Sequence, residues 1–373
     1  MAADMSSGTD LQEMVGSIPF TTRDDAKKIM KSTYNMNAVI IKKLDSYDDL
    51  NFYIKTDDNY DNQDEFVLKI FNKVLSQNTG VFEAQTELMI RLQEAGIPAP
   101  VPLKDINGKL CSLEHFKKVT EDGVTKEADY MIRLLTYIPG QMLVTAKQIP
   151  LDIFYNVGKT LAQMHNAWKD YEHPSLNRES YDWNLLSALK TREFLHLPKE
   201  EWQQNVSQSV LDRFESEVFP HHEKLNRGII HGDFNELNVL VKQSADGSVN
   251  SEPQWNLSGV LDFGDCMFCP YIFDVGISLA YMMLTDIEDE ATVCKWYLSG
   301  YESVIKLPDS EKNMIVTLIA TRLVQSLLLG LQCYSINPSN TYVLSTQEKG
   351  WKALRKVWGM SVEDIQKAEC PKY

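Results

Sequence analysis

The sequence predicts an α+β chain in two lobes, a small sheet-rich N-terminal one and a large, mainly helical C-terminal one. Three observations lead there. Short strand-like apolar runs separated by polar turns fill residues 38–70. From Pro150 onward, apolar residues recur at helical spacing. A stop signal, Tyr137-Ile-Pro-Gly140, falls between the two regimes. At 373 residues the chain is long enough to bury a core in each lobe. We expect a flexible N-terminus over residues 1–20, an N-terminal lobe over 21–136 and a C-terminal lobe over 137–373.

Thr21 to Lys31 reads as a short helix, with Thr22 or Thr21 as the cap whose hydroxyl accepts a first-turn N–H. Ala38–Lys43, Phe52–Lys55 and Phe66–Ile70 read as strands, the last two joined as a hairpin by the acidic, Asn-rich turn 57–64. Thr79 to Ala95 is helical by period, and Gly96-Ile-Pro98 ends it. Asn107-Gly108 favours a tight hairpin within Val101–Phe116, and Tyr130–Leu135 is a further strand. The second lobe should carry helices at Leu151–Trp168, Glu200–Phe219, Ile272–Met283, Thr292–Ser303, Glu311–Leu331 and Leu344–Trp358. Among them lies a strand pair, Val239–Lys242 and Leu257–Asp262, joined by Gln243–Gln254.

A net charge of −15 argues against broad nucleic-acid affinity and is compatible with a cationic small substrate. The cysteines at 111, 266, 269, 294, 333 and 370 form no disulfide framework. Cys266-Met-Phe-Cys269 has CxxC spacing without a second such pair, so ordinary thiols are expected. The first ten residues are polar and acidic, unlike a signal or transit peptide, and the longest apolar runs are broken short of a membrane span. We expect a cytoplasmic protein without nucleic-acid or membrane partners.

The chemistry concentrates in His231-Gly-Asp-Phe-Asn-Glu-Leu-Asn238 and Leu261-Asp-Phe-Gly-Asp265. Asp233, on a loop anchored by Ile229-Ile230 and bent at Gly232, suits a base that orients an attacking hydroxyl; a capping aspartate is the bland alternative. Asn238 and Asp262 offer hard oxygen ligands to Mg2+, which nucleotide phosphates and water would complete. A strand hairpin would bring these two together. His231 is expected to be structural, hydrogen-bonded to backbone or to a carboxylate such as Asp274. Lys69, the one cation in Phe66-Val-Leu-Lys-Ile70, suits phosphate contact or plain solvent exposure. Val81, Gln85, Leu88 and Leu92 share a helix face, which turns Gln85 toward the sheet, where its carbonyl would orient Lys69. Ser46-Tyr-Asp-Asp-Leu-Asn51 contains no glycine, so phosphate contacts there would come from Ser46, Asn51 and backbone N–H groups, while Asp48 and Asp49 face solvent or a cationic substrate. Closure of two lobes around this chemistry would exclude water from phosphoryl transfer.

With these residues in place, the chain resembles the aminoglycoside phosphotransferase and choline kinase-like family, which has a two-lobed protein-kinase-like fold. Ser46-Tyr-Asp-Asp-Leu-Asn-Phe52, Phe66-Val-Leu-Lys-Ile70, Tyr130-Met-Ile-Arg-Leu-Leu-Thr-Tyr137 and Asp182-Trp-Asn-Leu185 are similar to its hydroxylysine-kinase-like branch. The resemblance implies Asp233 as catalytic base, Asn238 and Asp262 on Mg2+, Lys69 on the phosphates, Leu135 to Tyr137 bonded to the purine, and Asp274 supporting the His231 loop. It also implies GTP as donor, with ATP as the alternative, and the side-chain hydroxyl of 5-hydroxy-L-lysine as acceptor. Such a substrate carries two ammonium groups and a carboxylate, for which Asp48 and Asp265, Arg322 and Trp183 are candidate partners. Choline, ethanolamine, homoserine and aminoglycosides are alternative acceptors, and a non-catalytic nucleotide-binding scaffold is the alternative of a different class.

Overall fold

The computed structural model describes residues 18–46, 49–60, 62–119, 123–244, 254–285 and 289–369. The expected flexible N-terminus therefore lies outside the described residues as far as residue 17, as do Asp48, Cys370 and most of the segment expected to join the strand pair. The described chain divides into two compact units, one holding residues up to Ile90 with Pro100–Ile138, the other Arg91–Ala99 with Pro139 onward.

The first unit is built on an antiparallel sheet. Helix α1 (Arg23–Ser32) precedes strands β1 (Ala38–Leu44), β2 (Leu50–Tyr60) and β3 (Gln63–Ile70). Helix α2 (Thr79–Glu94) follows, then β4 (Ser112–Val119) and β5 (Thr125–Thr136), in the spatial order β1-β2-β3-β5-β4. Alternation along the strands puts Phe52 and Ile54, Phe66 and Leu68, and Ile132 and Leu134 on one buried face, closed by Ala26, Ile29 and Met30 of α1. Each such large side chain contributes roughly 1.5–3 kcal/mol by leaving water. Thr22 caps α1 in a reciprocal box, its hydroxyl accepting from Asp25 N–H while the Asp25 carboxylate accepts from Thr22 N–H. On the opposite face the register sets Asn51 across from Lys69 and Lys69 across from Arg133.

One expectation fails here. Asn107-Gly108 does not turn a hairpin: the Asp105 carboxylate accepts from Asn107 N–H, Lys109 N–H and the Ser112 hydroxyl, closing a small loop instead. The partner of β4 is β5, paired from Ser112↔Ile132 to Val119↔Thr125.

The second unit is mainly helical: α3 (Leu151–Trp168), α4 (Glu201–Glu217), α5 (Tyr271–Met282), α6 (Glu290–Glu302), α7 (Ile315–Ile336) and α8 (Gln347–Trp358). Helix α7 is long and apolar enough to cross a membrane, yet 89% of its apolar window is buried inside the molecule. It packs against α4, α5, α8 and the 3₁₀ run Leu185–Phe194, so it is a core helix. That 3₁₀ run leaves no clear period in the sequence; α7 itself starts and ends four to five residues later than expected. Three short strand pairs carry the site. Strands β7 (Arg227–Ile230) and β10 (Met267–Pro270) pair antiparallel, while β6 (Gln141–Met142), β8 (Val239–Ser244) and β9 (Gln254–Val260) form a second small sheet. Because β9 stops at Val260, Asp262 does not end the strand as expected but lies beyond it.

A sheet-rich N-terminal lobe and a larger, mainly helical C-terminal lobe are the two parts of a kinase-like fold.

Candidate active site

Strand β7 leads into the loop 231–238, and the backbone there is fixed by a buried carboxylate. Asp274, at 0% exposure on α5, accepts from His231 N–H at 2.8 Å and Gly232 N–H at 3.0 Å, and its Oδ2 also receives His165 Nε2 at 2.9 Å. Burial pushes the Asp274 carboxyl up, but the bonds and charge from His165 and the bonds from the loop outweigh it and leave it below the ordinary value. His165 Nδ1 in turn is hydrogen-bonded with the Tyr301 hydroxyl at 2.9 Å. Gly232 has φ +78, and a Cβ there would lie 2.3 Å from Asp265 O, so only glycine fits. Burial lowers the His231 pKa and keeps the ring neutral. Its Nε2–H donates to Leu261 O at 3.0 Å, and Nδ1 accepts from Asp233 N–H at 3.3 Å.

Asp233 emerges from this loop with its carboxylate held on three sides. Oδ2 accepts from Asn235 Nδ2 at 2.9 Å and Asn238 Nδ2 at 3.0 Å, and Oδ1 lies 3.5 Å from the Arg322 guanidinium. Asn235 also accepts from Leu237 and Asn238 N–H through its own oxygen, so one amide shapes the loop and orients the carboxylate. A quarter of the Asp233 side chain remains exposed. Burial of its carboxyl and the Asp265 and Asp262 charges push its pKa well above the ordinary range, against the opposing pull of Arg322 and Asn235.

The second acidic segment is tied to the first. Leu261 N–H bonds to Asn238 O at 2.8 Å, where β8 and β9 converge, bringing Asn238 and Asp262 to neighbouring positions. Asp262 is exposed and has φ +54, a left-handed conformation that costs a non-glycine residue about 1–2 kcal/mol. Its Oδ1 accepts from Gly264 N–H at 3.2 Å. Arg178 braces the turn by donating to Gly264 O at 2.7 Å, with its guanidinium 3.7 Å from the Tyr181 ring centroid. The Tyr181 hydroxyl donates to Asp265 Oδ1 at 2.5 Å.

Arg322 is 1% exposed and donates to Trp183 O at 2.8 Å, Gln325 Oε1 at 3.1 Å and Gly232 O at 3.4 Å, besides pairing with Asp233. It offers almost no surface to a substrate carboxylate. Trp183 is half-buried, its ring centroid 4.9 Å from the same guanidinium. Gln325 donates to Asp182 O and Asn184 O, so α7 grips the whole 182–184 backbone.

Glu236, also on the loop, is buried, and its Oε2 has no hydrogen-bond partner among the described residues. Burial pushes its carboxyl up to about 7 from the 4.5 of an ordinary glutamate, with Lys349 opposing in part. The folded state therefore keeps this proton longer than the unfolded chain does. The associated stability is complete below pH 4.5 and is lost as pH rises to about 7. The loss is on the order of 3 kcal/mol. Urea melts of Glu236→Gln should show that decline flattened, with the variant more stable than the unmodified chain at pH 8; an unchanged pH profile would contradict it.

The other sequence-derived residues lie in the first unit, apart from Asp48, which is outside the described residues. Ser46 Oγ donates to Asp49 O at 2.6 Å, and Asp49 Oδ1 accepts from Asn72 N–H, so this loop is braced to the one-turn helix Lys73–Ser76. Asn51 Oδ1 is buried without a hydrogen-bond partner among the described residues. Lys69 Nζ lies 5.4 Å from the Phe71 ring centroid. The Gln85 carbonyl, expected to orient Lys69, accepts from Arg133 at 3.3 Å. Leu135 pairs with Val67 in the sheet. Tyr137 donates its N–H to Glu65 O, and its carbonyl accepts from Gln63 Nε2.

Among the described residues no cluster of three or more His, Cys, Asp or Glu side chains suits a metal ion. Cys266 and Cys269 are buried thiols whose pKa values burial raises, which disfavours the reactive thiolate. A Mg2+ ion needs less from the protein, one or two oxygens beside phosphates and water. Asn238 fits that need: its nitrogen is committed to Asp233, which leaves its oxygen as the atom for a metal, and the exposed Asp262 stands at the neighbouring position. Asn235, His165, Arg178 and Tyr181 were not singled out from the sequence. Asn235 had a local signal, an Asn two residues before Leu237 as in an Asx turn; the others act across long separations.

Residues 40–307 match the phosphotransferase enzyme family (APH), and the chain belongs to that family. A hydroxylysine kinase of Xenopus laevis is 34% identical over 94% of this chain and 93% of its own length, and one of Danio rerio is 32% identical over 94% and 95%. An amicoumacin kinase solved in complex with AMP-PNP, Ca2+ and Ami shares the fold, with a TM-score of 0.62 and 16% identity over 99% of this chain and 98% of its own. The protein is a phosphotransferase of the kinase-like class.

Proposed function

We propose that the chain transfers the γ-phosphoryl group of GTP to the side-chain hydroxyl of 5-hydroxy-L-lysine, giving 5-phosphohydroxy-L-lysine and GDP. The observation that carries this reading is similarity to hydroxylysine kinases along nearly the whole chain, together with a carboxylate held as a base must be. Asp233 orients the acceptor hydroxyl and takes its proton as the new O–P bond forms. Oδ1 is the oxygen for that proton, since two amides occupy Oδ2 while Oδ1 has one longer contact, to Arg322. Lys69 binds the donor phosphates, with Ser46 and Asn51 on the same lobe, and Leu135 to Tyr137 bind the purine. Asn238 and Asp262 hold Mg2+, which when bound neutralises charge on the phosphates. Asp265 receives a substrate ammonium, and Trp183 packs on the aliphatic stem.

Nucleoside diphosphate release should be measured with GTP and with ATP against hydroxylysine, lysine, choline, homoserine and an aminoglycoside, with and without Mg2+. Mg2+-dependent release with hydroxylysine and not lysine is the expected result. Stimulation by another acceptor would move the substrate assignment, and no stimulation by any acceptor would favour a scaffold. Asp262→Ala should lower turnover at fixed Mg2+ by at least about 10²-fold, since even residues that only orient metal ligands cost up to that much. An unchanged Mg2+ titration would contradict its role.

A further inference from the structure

We infer that Arg133 is a fixed second cation of the nucleotide-phosphate site, and that Gln85 is what leaves its charge available; the inference rests on Lys69 binding donor phosphates. Asn51, Lys69 and Arg133 stand in direct register on β2, β3 and β5, so an amide, an ammonium and a guanidinium share one row on one face of the sheet. Arg133 is 2% exposed. Its NH2 donates to Phe82 O at 2.8 Å and Thr86 Oγ1 at 3.0 Å, and its NH1 to Gln85 Oε1 at 3.3 Å. The Cys111 thiol beside it stays protonated, burial having raised its pKa. Every one of these groups is neutral. The guanidinium also lies 5.6 Å from the Phe71 ring centroid, the ring that Lys69 approaches at 5.4 Å.

A guanidinium cannot shed its proton, and a buried charge surrounded by neutral acceptors is under-compensated. Among the described residues no carboxylate pairs with it. Two nitrogens at this spot, Arg133 Nε and Gln85 Nε2, are buried without partners among the described residues, so the guanidinium end of the row has hydrogen-bond donors to spare. An anion at Lys69, one strand away, supplies the missing negative charge. Arg133 would then act through the field rather than by touching phosphate, while its bonds to Phe82, Gln85 and Thr86 hold α2 on the sheet. A glutamate at position 85 would pair with the guanidinium and cancel this contribution. Glutamine keeps the tether and spares the charge.

Dissociation constants for GTP and ATP, with guanosine and adenosine as phosphate-free probes, separate field from tether. They should be measured for the unmodified chain, Gln85→Glu, Gln85→Met and Lys69→Met. Gln85→Glu, which should keep or raise the melting temperature, is expected to weaken triphosphate binding about tenfold or more and leave nucleoside binding unchanged. Gln85→Met, which keeps the charge, should bind triphosphate nearly as the unmodified chain does. Equal weakening in both Gln85 variants would reduce Arg133 to a structural tether and overturn the inference. So would unchanged binding in Gln85→Glu alongside weakened binding in Lys69→Met. If the unmodified chain binds no triphosphate, or Lys69→Met loses none of its affinity, the phosphate assignment of Lys69 falls, and the inference with it.

Discussion

Asp233→Asn should lower kcat by roughly 10²–10⁴-fold while nucleotide binding stays close to that of the unmodified chain. The substitution is nearly isosteric. The loop around it is held by other groups: Asp274 fixes the His231 and Gly232 amides, and Asn235 accepts from Leu237 and Asn238. What disappears is an acceptor for the hydroxyl proton. Because burial and the neighbouring Asp265 and Asp262 charges raise the Asp233 pKa, kcat/KM of the unmodified enzyme should fall on the acid side at a pH above the ordinary carboxylate range. The sign follows from the base being active only when ionised. Single-turnover rates and a pH profile check both statements, and near-normal turnover by Asp233→Asn would remove the base assignment.

Arg322→Met should damage both chemistry and stability. The guanidinium faces Asp233 at 3.5 Å and donates to Trp183 O, Gln325 Oε1 and Gly232 O, so its removal strips a countercharge and three hydrogen bonds together. Losing one side of a buried ionic arrangement costs about 3–5 kcal/mol, and the partial exposure of Asp233 places this case near the lower figure. Without the cation the Asp233 pKa rises further, so the acid limb of kcat/KM should move to higher pH and neutral-pH activity should drop about 10²-fold. Arg322→Lys should recover part of the charge effect and little of the backbone grip, because an ammonium lacks the planar fork. A raised KM for the amino-acid substrate, with kcat and the acid limb unmoved, would instead make Arg322 a substrate contact.

What could be read from the sequence was what is local. Strand alternation and helical period placed the sheet of the first unit and the long helices of the second, since a two- or four-residue repeat records which face is buried. The same locality makes 231–238 legible as a chemical loop, and the Val239–Val260 pairing explains how Asn238 and Asp262 come to adjoin. Long-range partners left no such trace. His165 reaches Asp274 across 109 residues, and Arg322 reaches Gly232 across 90. Asn107-Gly108 misled because Asp105, two residues earlier, offers a competing set of side-chain bonds to the same backbone. Gln85 was rightly turned toward the sheet by its helical face, but its partner Arg133 lies on β5, whose pairing with β3 no local pattern announces.

The most direct test is the ³¹P NMR spectrum of a reaction containing GTP, Mg2+ and 5-hydroxy-L-lysine. A new phosphomonoester signal coupled to the proton on the hydroxyl-bearing carbon, growing as the GTP γ-signal falls and absent with lysine, is the predicted result. Inorganic phosphate as the only new species besides GDP, or a spectrum identical with and without hydroxylysine, would contradict it.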